Sequence, residues 1–119
     1  MSEVIRMSEQ DLVWLAGWLE GEGCFSNNTG SPSVAAVSTD LDIIQRVHSL
    51  LGAKTIGTLN LYDNKHKKRC YRSVVYGYKA YTLMKQLFPL LGLRRQAILT
   101  IIFEQLQSHK FYTVEEGIK

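Results

Sequence analysis

Cysteine is nearly absent from this 119-residue chain, in which Cys24 and Cys70 stand far apart and outside any CxxC spacing. That excludes a disulfide scaffold, and both read as reduced thiols. His48, His66 and His109 are too scattered to outline a zinc cage. Proline is equally rare, with Pro32 and Pro89 alone, and no Gly/Ser-rich or Pro-rich tract marks a linker. No window approaches the roughly 20 uninterrupted apolar residues of a membrane helix. Glu3, Arg6, Glu9 and Asp11 do not suit the apolar region of a signal peptide. The expectation is a soluble, intracellular protein, cytoplasmic or organellar and not secreted, with no membrane partner.

A strong charge bias is missing too. Lys and Arg total 14 against 11 for Asp and Glu, for a formal net charge of +3. That is too mild for a histone-like or disordered basic tail. The positive charge is instead local: Lys65, Lys67, Lys68, Arg69 and Arg72 fall together with no acid between them, and +3 less these five leaves −2 for the remainder. A hydrophobic share of 45% over this length fits one compact domain, residues 1–119, and leaves no room for two stable cores.

Along the chain, helix and strand signals alternate. Ser8 followed by Asp11 reads as a helix N-cap with an acid in the first turn, and Leu12, Leu15, Ala16 and Leu19 recur at helical spacing. A first helix is therefore predicted over Glu9 to Glu20, stopped by Gly21 and Gly23. Cys24 to Thr29 and Ser33 to Ser38 read as a hairpin around Asn28, Gly30 and Pro32. Thr39 or Asp40 caps a second helix with Leu41, Ile44, Val47, Leu50 and Leu51 on its apolar face, ended by Gly52. A second hairpin follows, with strands at about Thr55 to Tyr62 and Arg69 to Tyr76. Gly77 ends the sheet, Tyr78 to Phe88 forms a third helix, Pro89 and Gly92 break it, and Arg94 to Gln107 forms a fourth. The predicted order is α-β-β-α-β-β-α-α.

The chemistry lies at the end of the first helix. Gly17 and Gly21 are four apart on one face without side chains, so another helix can approach closely there, although packing within the chain would use them equally well. Trp14 and Trp18 read as core or interface aromatics. Glu20 and Glu22 straddle the helix end, where an acid is disfavoured by about 0.3 to 1 kcal/mol. Taken by composition alone, two glutamates beside two glycines describe a solvated helix end. A divalent cation would also compensate them, because carboxylate oxygens suit Mg²⁺.

Leu15-Ala16-Gly17-Trp18-Leu19-Glu20-Gly21-Glu22-Gly23 resembles the signature of the LAGLIDADG homing endonucleases. The strand directly after the motif, the Ser38-Thr39-Asp40 junction, the four-strand count and the Pro89 to Arg95 break before a last apolar helix fit the same family. The likeness spans roughly Leu12 to Leu106. It implies an α+β fold of αββαββα type, whose four-stranded antiparallel saddle sheet carries its helices on one face and straddles duplex DNA. Two motif helices pack side by side in that family, so one motif copy implies a homodimer, with Gly17, Trp18, Glu20 and Gly21 at its interface. Glu22 falls on the motif's last acid and becomes the implied metal ligand, beside the Gly21 carbonyl, for Mg²⁺ with Mn²⁺ as a substitute. Glu20 is then a support at the helix end.

The resemblance further implies a basic residue near the metal, matched by Lys79, and a water-ordering group at the strand-to-helix junction, matched by Thr39. By position alone, Lys79 is as readily a helix-surface lysine and Thr39 a cap. Strand alternation sends Cys24, Ser26 and Asn28 toward the groove and Phe25 under the helices. Thr58, Asn60 and Tyr62 share one face in the third strand, opposite Leu59 and Leu61, and Arg72 is the candidate from the fourth. Asn and Arg read base edges, whereas Lys65, Lys67, Lys68 and Arg69 at the hairpin tip suit phosphates, although a basic turn is also an ordinary solvated one. The implied activity is site-specific cleavage of both strands of a long pseudo-palindromic duplex, as in intron or intein mobility. A DNA- or RNA-binding protein of the same fold that no longer cleaves, such as a maturase or a transcription regulator, is the alternative, and a dimerisation module without nucleic acid is a third reading.

Overall fold

The computed structural model describes residues 7–62 and 67–107, with residues 59–62 and 67–68 described by backbone alone. The first helix, α1 (Glu9–Glu22), starts where the Ser8 hydroxyl accepts the Asp11 N–H at 3.1 Å. It runs two residues beyond the expected Glu20. Gly21 stays helical, because one glycine costs a helix only about 1 kcal/mol, and the stop is Gly23. There the backbone turns extended and donates to the Leu19 carbonyl. A Cβ on Gly23 would lie 2.7 Å from Leu19 Cδ2 and 2.8 Å from the Leu19 carbonyl, so the tight exit requires glycine.

Strands β1 (Gly23–Asn28) and β2 (Ser31–Ser38) follow directly, joined by a two-residue turn in which Thr29 and Gly30 both take positive φ, 56° and 88°. Pro32 lies inside β2 rather than in the turn. It pairs with Asn27 one position before β2 begins to pair with β4, so its missing N–H faces no strand. Helix α2 (Leu41–Leu51) buries Ile44, Val47 and Leu51 and ends at Gly52 in the left-handed region. Asp40 holds the N-cap position without a side-chain bond. Asp40 is thus the cap residue that the sequence placed at Thr39 or Asp40, and the Ser38 hydroxyl accepts its N–H at 3.0 Å just before the helix.

The second hairpin is β3 (Gly57–Tyr62) and β4 (Lys67–Tyr76), starting two residues later and earlier respectively than the sequence suggested. Helix α3 (Gly77–Leu87), a 3-10 turn at Phe88–Leu90 and α4 (Leu93–Leu106) complete the chain's described part. The sheet is antiparallel in the order β1-β2-β4-β3. Burial alternates along its strands: Phe25, Val34, Ala36, Ser73 and Val75 are buried, whereas Cys24, Ser26, Asn28, Arg72 and Tyr76 are exposed or half-buried. The helices therefore cover one face. Their buried residues, including Leu15, Leu19, Ile44, Leu51, Leu83, Met84, Leu87 and Leu99, join the apolar strand residues in one hydrophobic cluster. Architecture and helix placement follow the α+β expectation, and both cysteines are free thiols.

Candidate metal site and nucleic-acid face

The motif splits α1 into two faces. Leu15, Ala16 and Leu19 are buried, whereas Gly17 and Gly21 are exposed and a Cβ added at either would meet nothing within 4 Å. Packing inside the described chain therefore gives no reason for glycine at these positions. Val13, one turn earlier on the same stripe, is 52% exposed. Both tryptophans are half-buried against the core, and the Arg46 guanidinium sits 3.8 Å above the Trp14 ring while 3.9 Å from Asp11.

The two acids have separate fates. Glu20 Oε1 accepts the Gly92 N–H at 2.8 Å, and the Glu20 carbonyl accepts from Arg95 Nε at 3.1 Å. Its charge thus faces the opening of α4, where a helix N-terminus favours an anion. The carboxylate of Glu20, a candidate both for a dimer interface and for support at the helix end, is thus engaged within its own chain. Glu22 is exposed at the last position of α1 and has no hydrogen bond or ion pair among the described residues. Because Gly23 pairs with Ala36, the chain enters β1 at the end where Val37, Ser38 and Thr39 leave β2. Glu22 and the exposed Thr39 therefore sit at one end of the same strand pair.

Lys79 is placed elsewhere. Its Nζ donates to the Gly52 carbonyl at 3.0 Å, drawn to the C-terminus of α2, where cations are favoured. The basic group at the end of α1 is Arg95, with the exposed Arg94 beside it. Sequence reasoning missed both, although they follow the Pro89 to Gly92 break directly. The signal was that break, but only the fold returns the start of α4 to the end of α1.

The open face of the sheet is read from register. Cys24, Ser26 and Asn28 lie on it as expected, with Ser26 and Ser33 hydroxyls 2.7 Å apart across the strands. Asn27 has the opposite parity and donates to Gln105 Oε1 on α4 at 3.0 Å. In β4 the open row is Arg72, Val74 and Tyr76, and Tyr76, 59% exposed, was not anticipated despite its spacing of four from Arg72. Thr58 is a correction. It pairs with Tyr71, of the same parity as buried Ser73 and Val75, whereas Arg72 pairs with Gly57. By this register Thr58 lies on the face of Tyr71, which packs against the core, while its own side chain stays exposed. Arg69 is exposed, opposite Asn60. Lys65 and the side chains of Asn60, Tyr62, Lys67 and Lys68 lie outside the described residues.

No protein-family model matches the chain, and no curated protein matches its sequence. The site's chemistry therefore rests on geometry. Among the described residues no three His, Cys, Asp or Glu side chains cluster. One chain offers Glu22 as a free carboxylate beside the last carbonyls of α1, a set that suits a hard cation which also takes water and phosphate oxygens. No helix among the described residues is long and apolar enough to cross a membrane.

Proposed function

We propose that the chain is a site-specific, double-strand DNA endonuclease that works as a homodimer with Mg²⁺, or Mn²⁺ in its place, inside the cell. The observation carrying this reading is the division of labour at the end of α1: Glu20 is held by Gly92 while Glu22 stands free beside an outward, unfilled Gly17/Gly21 stripe. Glu22 and the Gly21 carbonyl would hold the cation, which when bound supplies charge stabilisation at a phosphate and acidifies water. A two-fold axis along the glycine stripe brings a second Glu22 near the first, giving one acid for each strand.

The chain's own groups do the rest. Arg94 and Arg95, at the N-terminal end of α4, set positive charge where a phosphate would lie. Thr39 offers a hydroxyl at the same end of the sheet, free of capping duty. Ser26 and Asn28 on the open face present hydrogen-bonding groups to base edges, Arg72 adds a cation beside them, and the basic hairpin contributes phosphate contacts.

The test is to incubate the protein with a randomised duplex library and Mg²⁺ and to sequence the cut ends. Recurrent palindromic ends are expected from the wild type and none from Glu22→Gln, which should still bind the same duplex. A wild type that selects a duplex but never cuts it with Mg²⁺ or Mn²⁺ makes the chain a maturase-like or regulatory binder.

A further inference from the structure

β4 outruns β3. Gly57, the first residue of β3, pairs with Arg72, but β4 continues to Tyr76, so residues 73–76 have no described strand on that side. The connection from α2 to β3 and the first turn of α3 close around this notch and leave a cavity of about 560 Å³. Lys54, Arg72 and Lys79 line it, one from each of three elements, together with Ala53, Val74 and Tyr76. Among the described residues no acidic side chain is in its wall. None of the three cations has an ion-pair partner among the described residues, and Lys79 is fixed at the cavity by its 3.0 Å bond to the Gly52 carbonyl.

Three like charges around one hollow repel one another, and an anion between them turns that repulsion into attraction. An Arg fork with two ammonium groups favours phosphate. The cavity lies in the roughly 300–1,000 Å³ range of small-molecule sites, larger than a bare phosphate fills. Its apolar wall and the exposed Tyr76 ring suit a flat base, since aromatic rings stack on any of the four. We propose that this cavity binds one nucleoside monophosphate unit, phosphate on Lys54, Arg72 and Lys79 and base against Val74, Ala53 and Tyr76. Because Arg72, Val74 and Tyr76 belong to the open row of the sheet, the unit can come from a strand lying on that face or from a free nucleotide.

The site is separate from Glu22, and the proposal does not rest on the endonuclease reading. The experiment is an amide NMR titration of the full chain with thymidine monophosphate, thymidine, inorganic phosphate and a 5′-phosphorylated trinucleotide. Thymidine monophosphate should shift residues 52–55, 72–76 and 79 and bind at least about tenfold tighter than thymidine or phosphate alone, about 1.4 kcal/mol per tenfold. Lys54→Gln should weaken it several-fold while leaving the spectrum of the free protein folded. Shifts at the same residues with the trinucleotide assign the site to a strand, and their absence assigns it to a free nucleotide. Phosphate binding as tightly as the nucleotide overturns the proposal, as does the absence of shifts at residues 52–55 at millimolar ligand. Nucleotide binding without duplex cleavage keeps this site and removes the endonuclease; cleavage without nucleotide binding does the reverse.

Discussion

Two glutamates separated by one glycine behave as different kinds of residue because their neighbours differ. Glu20 satisfies the backbone of the residue that opens α4, so its removal exposes an unpaired N–H and deletes a favourable charge at a helix start. Glu20→Ala should therefore lower unfolding free energy by about 1 kcal/mol, in the range measured for helix caps, as read by urea denaturation. Glu22→Gln should change it by less than about 0.5 kcal/mol, the usual surface effect, while removing cleavage. A Glu22 variant that loses stability as well would place that side chain in the fold and not at a site. Thr29 supplies a second residue-scale test. A β-branched residue at φ 56° is strained, and a two-residue turn with both φ values positive favours Asn-Gly. Thr29→Asn should raise stability by about 0.5–1 kcal/mol, as a higher urea midpoint with an unchanged slope.

Elements were legible in the sequence where a local signal was sufficient. The Ser8 cap, the apolar spacing of Leu15 and Leu19 and the Gly52 stop each act within a few residues, and the helices and strands that they delimit are present. What needed a partner element was not legible. The phase of β3 depends on its pairing with β4, which puts Thr58 on the face of Tyr71 and not on that of Arg72. The partner of Lys79 is the end of α2, and the cation at α1 is Arg95, some 75 residues away in sequence. Neither distance-spanning contact leaves a trace in spacing. The outward face of α1 carries two glycines that packing within the described chain does not require, and it gives a test with two signs. Gly17→Ala meets open space, so it should stabilise the helix by about 0.5–1 kcal/mol. If two α1 helices meet at that face, the added methyl also separates them and weakens association. Melting of dilute protein and light scattering at higher concentration read the two effects independently, and a stabilised protein with undiminished association removes the face from any interface.

At the scale of the molecule, the sheet is uneven in width. β2 pairs with β4 only as far as Ser38 opposite Tyr71, whereas β3 and β4 continue together to Tyr62 opposite Lys67. Residues 67–70 of β4 thus belong to a two-stranded arm that reaches about 13 Å past the four-stranded sheet, at about 3.3 Å per residue. By backbone position Lys67, Lys68 and Arg69 fall on this arm, and Arg72 falls within the wider sheet. If two copies pair about a two-fold axis on duplex DNA, as proposed above, phosphate contacts from the two arms would add affinity independent of base sequence. Lys67→Ala with Lys68→Ala should then weaken binding to every duplex alike. The plot of log affinity against log salt should flatten by roughly 0.9 for each phosphate that the arm no longer neutralises, with base preference retained. An unchanged salt slope would take the arm off the DNA, and a changed base preference would move these lysines from the backbone to the groove.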